Sequence, residues 1–482
     1  MAADASRTPL LFDPSAFKAF HFLNRELHED GLVELRYGLD HELSFEERFQ
    51  LPVPRLLDAE QRSRAGGLLA LLHWVAGVSY FKLAAPPRVE FEGEPPPPAV
   101  AALLEALYSE GFGEFAYTNR LPRLPRPRFS DAGVERAAGV ERAAGVGRAA
   151  GVERAAPADG PAPSRRPRAN PQRVLVPVGG GKDSAVAIEV VRRSGLPTAL
   201  FSIGDALPIA STVVAAGLPW LLARRELDPE LRRLNGAGAL NGHVPVTAIV
   251  TAAALLCAHL NGYDAVAMAN ERSASSGSLS WDGVEVNHQF SKSLRVERLL
   301  DDALEELGAP VGAFSVLRPA SELAIARTFA RLDAYHRAFT SCNTIFRLDP
   351  ALRGASWCCE CPKCRFVFLA LAPFTTPEQL REIFGRDLLD EEHQFEGFAL
   401  LCAAGGHKPF ECVGEEQESL AAIRLLAGEQ RWSGHRVLCR LIDEVLPAHG
   451  PHEGDPARVL ALSDDHEVPE ALMADVRALL GA

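Results

Sequence analysis

The run Val174-Leu175-Val176-Pro177-Val178-Gly179-Gly180-Gly181-Lys182-Asp183-Ser184 carries the architecture of this chain. It opens as a short apolar strand, passes through a glycine turn and continues as an amphipathic helix over 184–193, closed by Gly195. The alternation then repeats. Residues 198–203 read as a second strand ending at Gly204-Asp205, and 219–223 as a third. Residues 243–260 read as a long helix with Pro245 in its first turn, where proline is tolerated. Strands at 264–269 and 311–317 flank a helix at 293–307. Strands alternating with helices predict an α/β fold with a doubly wound parallel sheet over 173–335. Ligands of such sheets sit outside the carboxyl ends of the strands.

On the N-terminal side, residues 1–121 mix aromatic, apolar and charged patches and read as an α+β domain. Residues 101–107 have a helical pattern, whereas 77–83 (GVSYFKL) alternate like a strand. Residues 122–172 read as a flexible linker. They hold four copies of a six-residue unit (GVERAA, once GVGRAA) from Gly133 to Ala156, then prolines among arginines. On the C-terminal side, 336–482 reads as mainly helical and holds every cysteine but Cys257.

The net charge of −13 on 482 residues, with 47% hydrophobic and 23% charged residues, describes a globular protein rather than a disordered one. That acid excess argues against a general nucleic-acid or membrane binder, since both need a basic field. The N-terminus shows no basic segment followed by an apolar core, and no uncharged apolar run reaches membrane length. Nine cysteines, four of them between Cys358 and Cys364, fit reduced thiols rather than a disulfide scaffold. These features point to a cytoplasmic protein with cytoplasmic substrates.

The glycine turn supplies backbone N–H groups and a helix N-terminus aimed at one place, with Lys182 as a charge and Ser184 as a hydroxyl donor. This is chemistry for an anion, and phosphate first of all. A Walker A loop is excluded, because Val176 stands where its first glycine belongs and Asp183 where its Ser or Thr belongs. A dinucleotide fingerprint fits Gly179 and Gly181 but meets Ser184 at its last glycine; Asp205 at the end of the second strand keeps that reading open. A glycine turn without a ligand is the third reading.

Two further clusters carry donors. Cys358, Cys361 and Cys364 have tight thiolate spacing, with Cys342 sixteen residues upstream, and four thiolates suit tetrahedral zinc. Buried reduced cysteines and thiol catalysis are the competing readings. The segment His407-Lys408-Pro409-Phe410-Glu411-Cys412 concentrates a base, a cation, a carboxylate and a thiol. Glu271 and Arg272 follow the fourth strand at the sheet's carboxyl end, and His288 lies close behind.

The string GGGKDS resembles the SGGxDS loop of the PP-loop ATP pyrophosphatases, with Gly179 in place of the first serine. The Cys spacing is similar to a zinc site in PP-loop enzymes that make 7-cyano-7-deazaguanine. Together with GVSYFK (77–82), NGHVPVTA (241–248), ANERSAS (269–275), NHQFSKS (287–293) and HKPFECVGE (407–415), these strings resemble the ATP-dependent UDP-N-acetylmuramoyl-L-alanyl-L-glutamate epimerases of peptidoglycan synthesis. The resemblance spans nearly the whole chain except the linker. It implies a PP-loop, adenine nucleotide hydrolase-like domain that binds ATP and Mg²⁺, and inversion of the terminal glutamate after adenylation of its carboxylate. It implies that Gly179, Gly180, Gly181, Lys182, Asp183 and Ser184 hold the phosphates and that Asp205 lies near the adenosine. Glu271, Arg272, His288, Lys408 and Cys412 become the candidate catalytic residues, with Arg272 or Lys408 pairing a substrate anion and Cys412, His288 or Glu271 as α-proton base. Cys342, Cys358, Cys361 and Cys364 become ligands of a structural Zn²⁺. Two other functions stay open on the residues alone: a PP-loop enzyme that amidates or thiolates its substrate, and a nucleotide-binding module without catalysis.

Overall fold

The computed structural model describes residues 12–129, 170–277, 279–346, 354, 356–403, 411 and 413–481. The six-residue repeats, Lys408 and Cys412 lie outside these described residues.

The fold is α/β, built on one large mixed, mostly parallel sheet. Its strands are β1 (Ala19–Leu27), β2 (Leu32–Leu39), β3 (Leu43–Gln50), β4 (Arg88–Phe91), β5 (Val174–Pro177), β6 (Thr198–Ile203), β7 (Trp220–Glu226), β8 (Ala265–Met268) and β11 (Gly312–Ser315). A separate hairpin pairs β9 (Leu279–Trp281) with β10 (Val284–Val286). The nine-stranded order is β11-β8-β5-β6-β7-β3-β2-β1-β4. Strands β11, β8, β5, β6 and β7 run parallel, as the alternation of strands and helices requires.

Period-2 alternation sends side chains of the parallel strands into two cores. Leu175, Phe201, Val266 and Ala313 face one, with helices Gly66–Ala76, Pro98–Tyr108 and Val246–Leu260. Val176, Leu200, Ala267 and Phe314 face the other, with helices Lys182–Arg193, Glu322–Phe329 and Pro362–Leu371. The region after residue 335 contains helices and no strand among the described residues. No helix of the described residues is long and apolar enough to cross a membrane.

The N-terminal region is not set apart from this sheet. β3 pairs antiparallel with β7 through Arg48↔Glu226, Phe49↔Arg225 and Gln50↔Arg224. At that seam the Arg225 guanidinium donates to Glu47 Oε1 at 2.6 Å and to Ser79 Oγ at 2.8 Å. The start of the expected linker also belongs to the packed structure: Leu124 and Phe129 are buried, and Phe129 packs on Phe22, Phe91 and Tyr108.

Two elements depart from the sequence reading. The GVSYFKL segment is helical, Val78–Phe81, not a strand. All four residues of that helix are buried, so the segment has no solvent face to impose a period. Gly77 permits the packing, because a Cβ there would lie 2.6 Å from the Tyr108 hydroxyl and 2.7 Å from the Phe22 ring. The long helix runs Val246–Leu260, with Pro245 at its N-cap rather than in its first turn. His243 is thereby left in the preceding loop.

His73 gives this core a pH sensitivity. Its ring is buried, sits against Phe22 and Tyr37, and one ring nitrogen meets the Arg36 carbonyl at 3.0 Å. Burial pushes its pKa down to about 3. Between about pH 6.5 and 3 the unfolded chain takes a proton that the folded chain refuses, so stability falls as pH drops through that window. His73→Gln, which does not titrate, is expected to flatten the acid limb of a stability-against-pH curve; an unchanged limb overturns this assignment.

Candidate active site

The parallel strands point their carboxyl ends at a cavity of about 370 Å³. Its floor is apolar, from Ile203, Ile209, Val246, Val250 and Met268. Its other wall is the glycine turn, with Gly179, Gly181, Asp183 and Ser184, joined by Asn270, Lys292, Ser341 and Lys363. An apolar slot beside a glycine turn and two lysines can take a ligand with an apolar part and an anionic part.

Local structure explains the turn. Gly180 has φ +80°, and a Cβ there would lie 2.6 Å from the Pro208 carbonyl carbon. Ser184 Oγ accepts from the Gly179 N–H at 2.9 Å and so ties the turn to the first turn of helix Lys182–Arg193. The Thr340 N–H donates to the Gly180 carbonyl at 3.0 Å, which brings the C-terminal region onto the loop.

Lys182 does not line this cavity. Its ammonium is buried between the carboxylates of Asp183 and Glu322. Burial alone would lower its pKa; the two carboxylates outweigh burial and raise it. The cations that do face the cavity are Lys292 and Lys363. Lys363 Nζ also lies 3.7 Å from Glu322. Although burial opposes ionisation, Lys182 and Lys363 hold Glu322 down to about 2. Behind them Glu418 accepts from the N–H groups of Glu322 (2.7 Å) and Glu415 (2.6 Å) and from the Ser273 hydroxyl (3.0 Å).

The other expected residues divide. Glu271 is buried behind the cavity wall, where burial, and then Glu322, raise its pKa. Arg272 faces away from the cavity: its guanidinium donates to the Ala461 and Val459 carbonyls, both at 3.0 Å, and ties down the C-terminal segment. Asp205 is half exposed and paired bidentately with Arg224 at 2.7 Å, away from the cavity lining. In both, an arginine and its oxygen partners satisfy one another at the surface. His288 meets the Glu114 carboxylate through Nδ1, and its ring lies 4.3 Å from that of His243. Glu411 stands within electrostatic reach of His288 and Lys363, and Asn343 Nδ2 donates to it at 2.8 Å.

Cys342, Cys358, Cys361 and Cys364 converge, with their sulfurs all within 4.8 Å of one another. Sγ of Cys364 is 3.8 Å from that of Cys358 and 3.4 Å from that of Cys361. Zn–S bonds of about 2.3 Å in a tetrahedron place sulfurs about 3.8 Å apart, so this donor set fits zinc with little movement. Cys359 points the other way, into the core toward the Phe384 carbonyl at 3.4 Å.

Sequence reading missed Glu114, His243, Lys292, Lys363 and Ser341. Lys363 carried a signal: it lies between two clustered cysteines, so the knuckle that gathers the thiols also aims the cation.

Family models described as the MurL N-terminal domain and the MurL C-terminal domain match residues 11–316 and 338–455. A UDP-N-acetyl-alpha-D-muramoyl-L-alanyl-L-glutamate epimerase of Salinispora tropica is 46% identical over 85% of this chain and 84% of its own. The chain belongs to this epimerase family. The epimerase so named from a Micromonospora species is 43% identical over 88% of this chain and 92% of its own. That of Xanthomonas oryzae pv. oryzae is 39% identical over 97% of this chain and 98% of its own. No solved structure matches.

Proposed function

We propose that the chain inverts the terminal L-glutamate of UDP-N-acetylmuramoyl-L-alanyl-L-glutamate to D-glutamate, in peptidoglycan synthesis in the cytoplasm, at the expense of ATP. The sheet then acts as a PP-loop ATP pyrophosphatase-type domain. The supporting observation is the cavity itself, where an apolar slot and the glycine turn meet Asn270, Lys292, Ser341 and Lys363.

The chemistry explains why ATP is used. An α-proton beside a carboxylate is weakly acidic, because deprotonation would add charge to an anion. Attack of that carboxylate on the α-phosphorus forms an acyl adenylate and expels pyrophosphate. The acyl group is now neutral at the reacting centre, and its enolate can be stabilised by nearby cations. A base removes the α-proton, a proton returns to the other face, and water releases the dipeptide and AMP.

In this reading the turn from Gly179 to Ser184 holds the phosphates through N–H groups. Lys292 and Lys363 face the phosphates or the developing enolate, and Lys182 is a positioning residue that fixes Asp183. Cys412 of the HKPFECVGE segment is the α-proton base and Lys408 of the same segment a partner of a substrate anion; His288, held by Glu114, orients the substrate rather than taking its proton. Asp183 suits the Mg²⁺ that accompanies ATP, which neutralises phosphate charge. Cys342, Cys358, Cys361 and Cys364 hold Zn²⁺, a structural clamp that keeps Ser341 and Lys363 against the turn.

Incubation with the L-glutamate substrate, ATP and Mg²⁺ in D₂O is expected to place one deuterium on the glutamate α-carbon, release AMP and yield D-glutamate. Without ATP no deuterium should enter. Exchange that proceeds without any adenine nucleotide overturns this reading, and ammonia or sulfur incorporation would replace it with the amidating or thiolating one.

A further inference from the structure

We propose a second metal site, formed by Glu114, His243 and His288, that takes a divalent transition ion of the zinc class. One ligand atom from each of the three residues lies within 4.8 Å of the others. The three come from separate places in the chain: Glu114 from helix Gly113–Thr118, His243 from the loop that Pro245 cuts off from its helix, and His288 from the loop after β10. Such convergence has no local cause in sequence.

Packing holds the trio together. At Gly111 and Gly113 the Glu114 segment packs onto Pro245, Phe290 and Val286, close enough that a Cβ on either glycine would already be in van der Waals contact at 3.4 Å. All three ligands are half-buried. The two groups with a single histidine, around His28 and His449, each include an exposed carboxylate and read as surface ion pairs.

The donor set selects the ion. Two imidazoles and one carboxylate suit zinc, cobalt or iron, whereas Mg²⁺ asks for oxygen ligands only. Ligand bonds of about 2.0–2.2 Å place neighbouring donors roughly 3–3.5 Å apart, within the 4.8 Å that encloses the trio, so a bound ion would take the place of the His288–Glu114 hydrogen bond. Three protein ligands leave an open position, as in catalytic rather than structural sites.

The position gives that opening a purpose. Val246 and Thr247, just beyond His243, line the nucleotide cavity, and so does Lys292, close to His243. Glu411 faces His288 from the C-terminal side. Resting on the epimerase reading, the open position would take an oxygen of the substrate's terminal glutamate.

Metal binding can be tested without turnover. Apo-protein is titrated with Co²⁺ and the bound equivalents are counted by elemental analysis, with thiolate-to-cobalt charge transfer marking the Cys site. The wild type is expected to hold one equivalent that lacks charge transfer. Both His243→Ala and Glu114→Gln should lose that equivalent and keep the charge-transfer band, which also certifies their fold. If His243→Ala does not fold, Glu114→Gln alone decides. A wild type whose only bound cobalt is thiolate-ligated, or variants that retain the second equivalent, overturns the site. A wild type that holds the second equivalent but shows no ATP-dependent exchange at the glutamate α-carbon would instead overturn the epimerase reading.

Discussion

Gly180→Ala is expected to lower ATP-dependent solvent exchange by about 10²-fold or more, the scale on which a displacement of about 1 Å costs activity. Two effects act together at this residue. Its φ of +80° is costly for any L side chain, and the new methyl would meet backbone, the Pro208 carbonyl carbon at 2.6 Å and Ile209 N at 2.7 Å. Backbone cannot swing aside as a side chain does, so the turn must move away from the cavity. The Gly180 carbonyl also accepts the Thr340 N–H, so its displacement pulls at the segment that carries Ser341. Gly195→Ala is the matched control. It closes the same helix at φ +72°, but nothing lies within 4 Å of its Cβ. It should cost about 1–2 kcal/mol of stability from the left-handed backbone alone and leave exchange nearly unchanged. Equal losses in both variants would show that backbone strain, not the shape of the turn, explains the effect.

The contrast between these two glycines shows what sequence can and cannot disclose. The strand, turn and helix around Gly180 are written in neighbouring residues, and the parallel part of the sheet follows from the alternation of such units. The four cysteines were legible too, since three share close spacing, although only the fold brings Cys342 to them. Glu114 was silent because its role depends on a loop some 130 residues away. Lys182 misled for a related reason: its neighbours suggest a phosphate, yet Glu322, far along the chain, lies beneath it and takes its charge. Arg272 likewise looked free beside the fourth strand until the C-terminal segment folded over it. Local pattern gives elements and turns; the charge state and aim of a long side chain are set by partners that pattern does not reach.

The seam between β3 and β7 should be where the fold is most easily broken by one substitution. Glu47 is fully buried, and its charge is tolerated there chiefly because Arg225 lies 2.6 Å away, with the Tyr80 hydroxyl also helping. Burial raises the pKa of Glu47, and Arg225 opposes that rise. Removing one partner leaves an unpaired charge in an apolar core that includes Phe49 and Tyr80, so Arg225→Met should cost about 3–5 kcal/mol. The double variant Glu47→Leu with Arg225→Met removes both charges and should recover most of that loss, since a buried ion pair replaced by apolar side chains is often neutral or stabilising. Denaturant midpoints of the four proteins in this cycle measure the coupling. If the single variants lose less than about 1 kcal/mol, the pair behaves like an exposed one. The N-terminal strands would then be held to the parallel sheet by backbone pairing and apolar contact alone, and Glu114 would owe its place beside His243 and His288 to those contacts rather than to this buried charge pair.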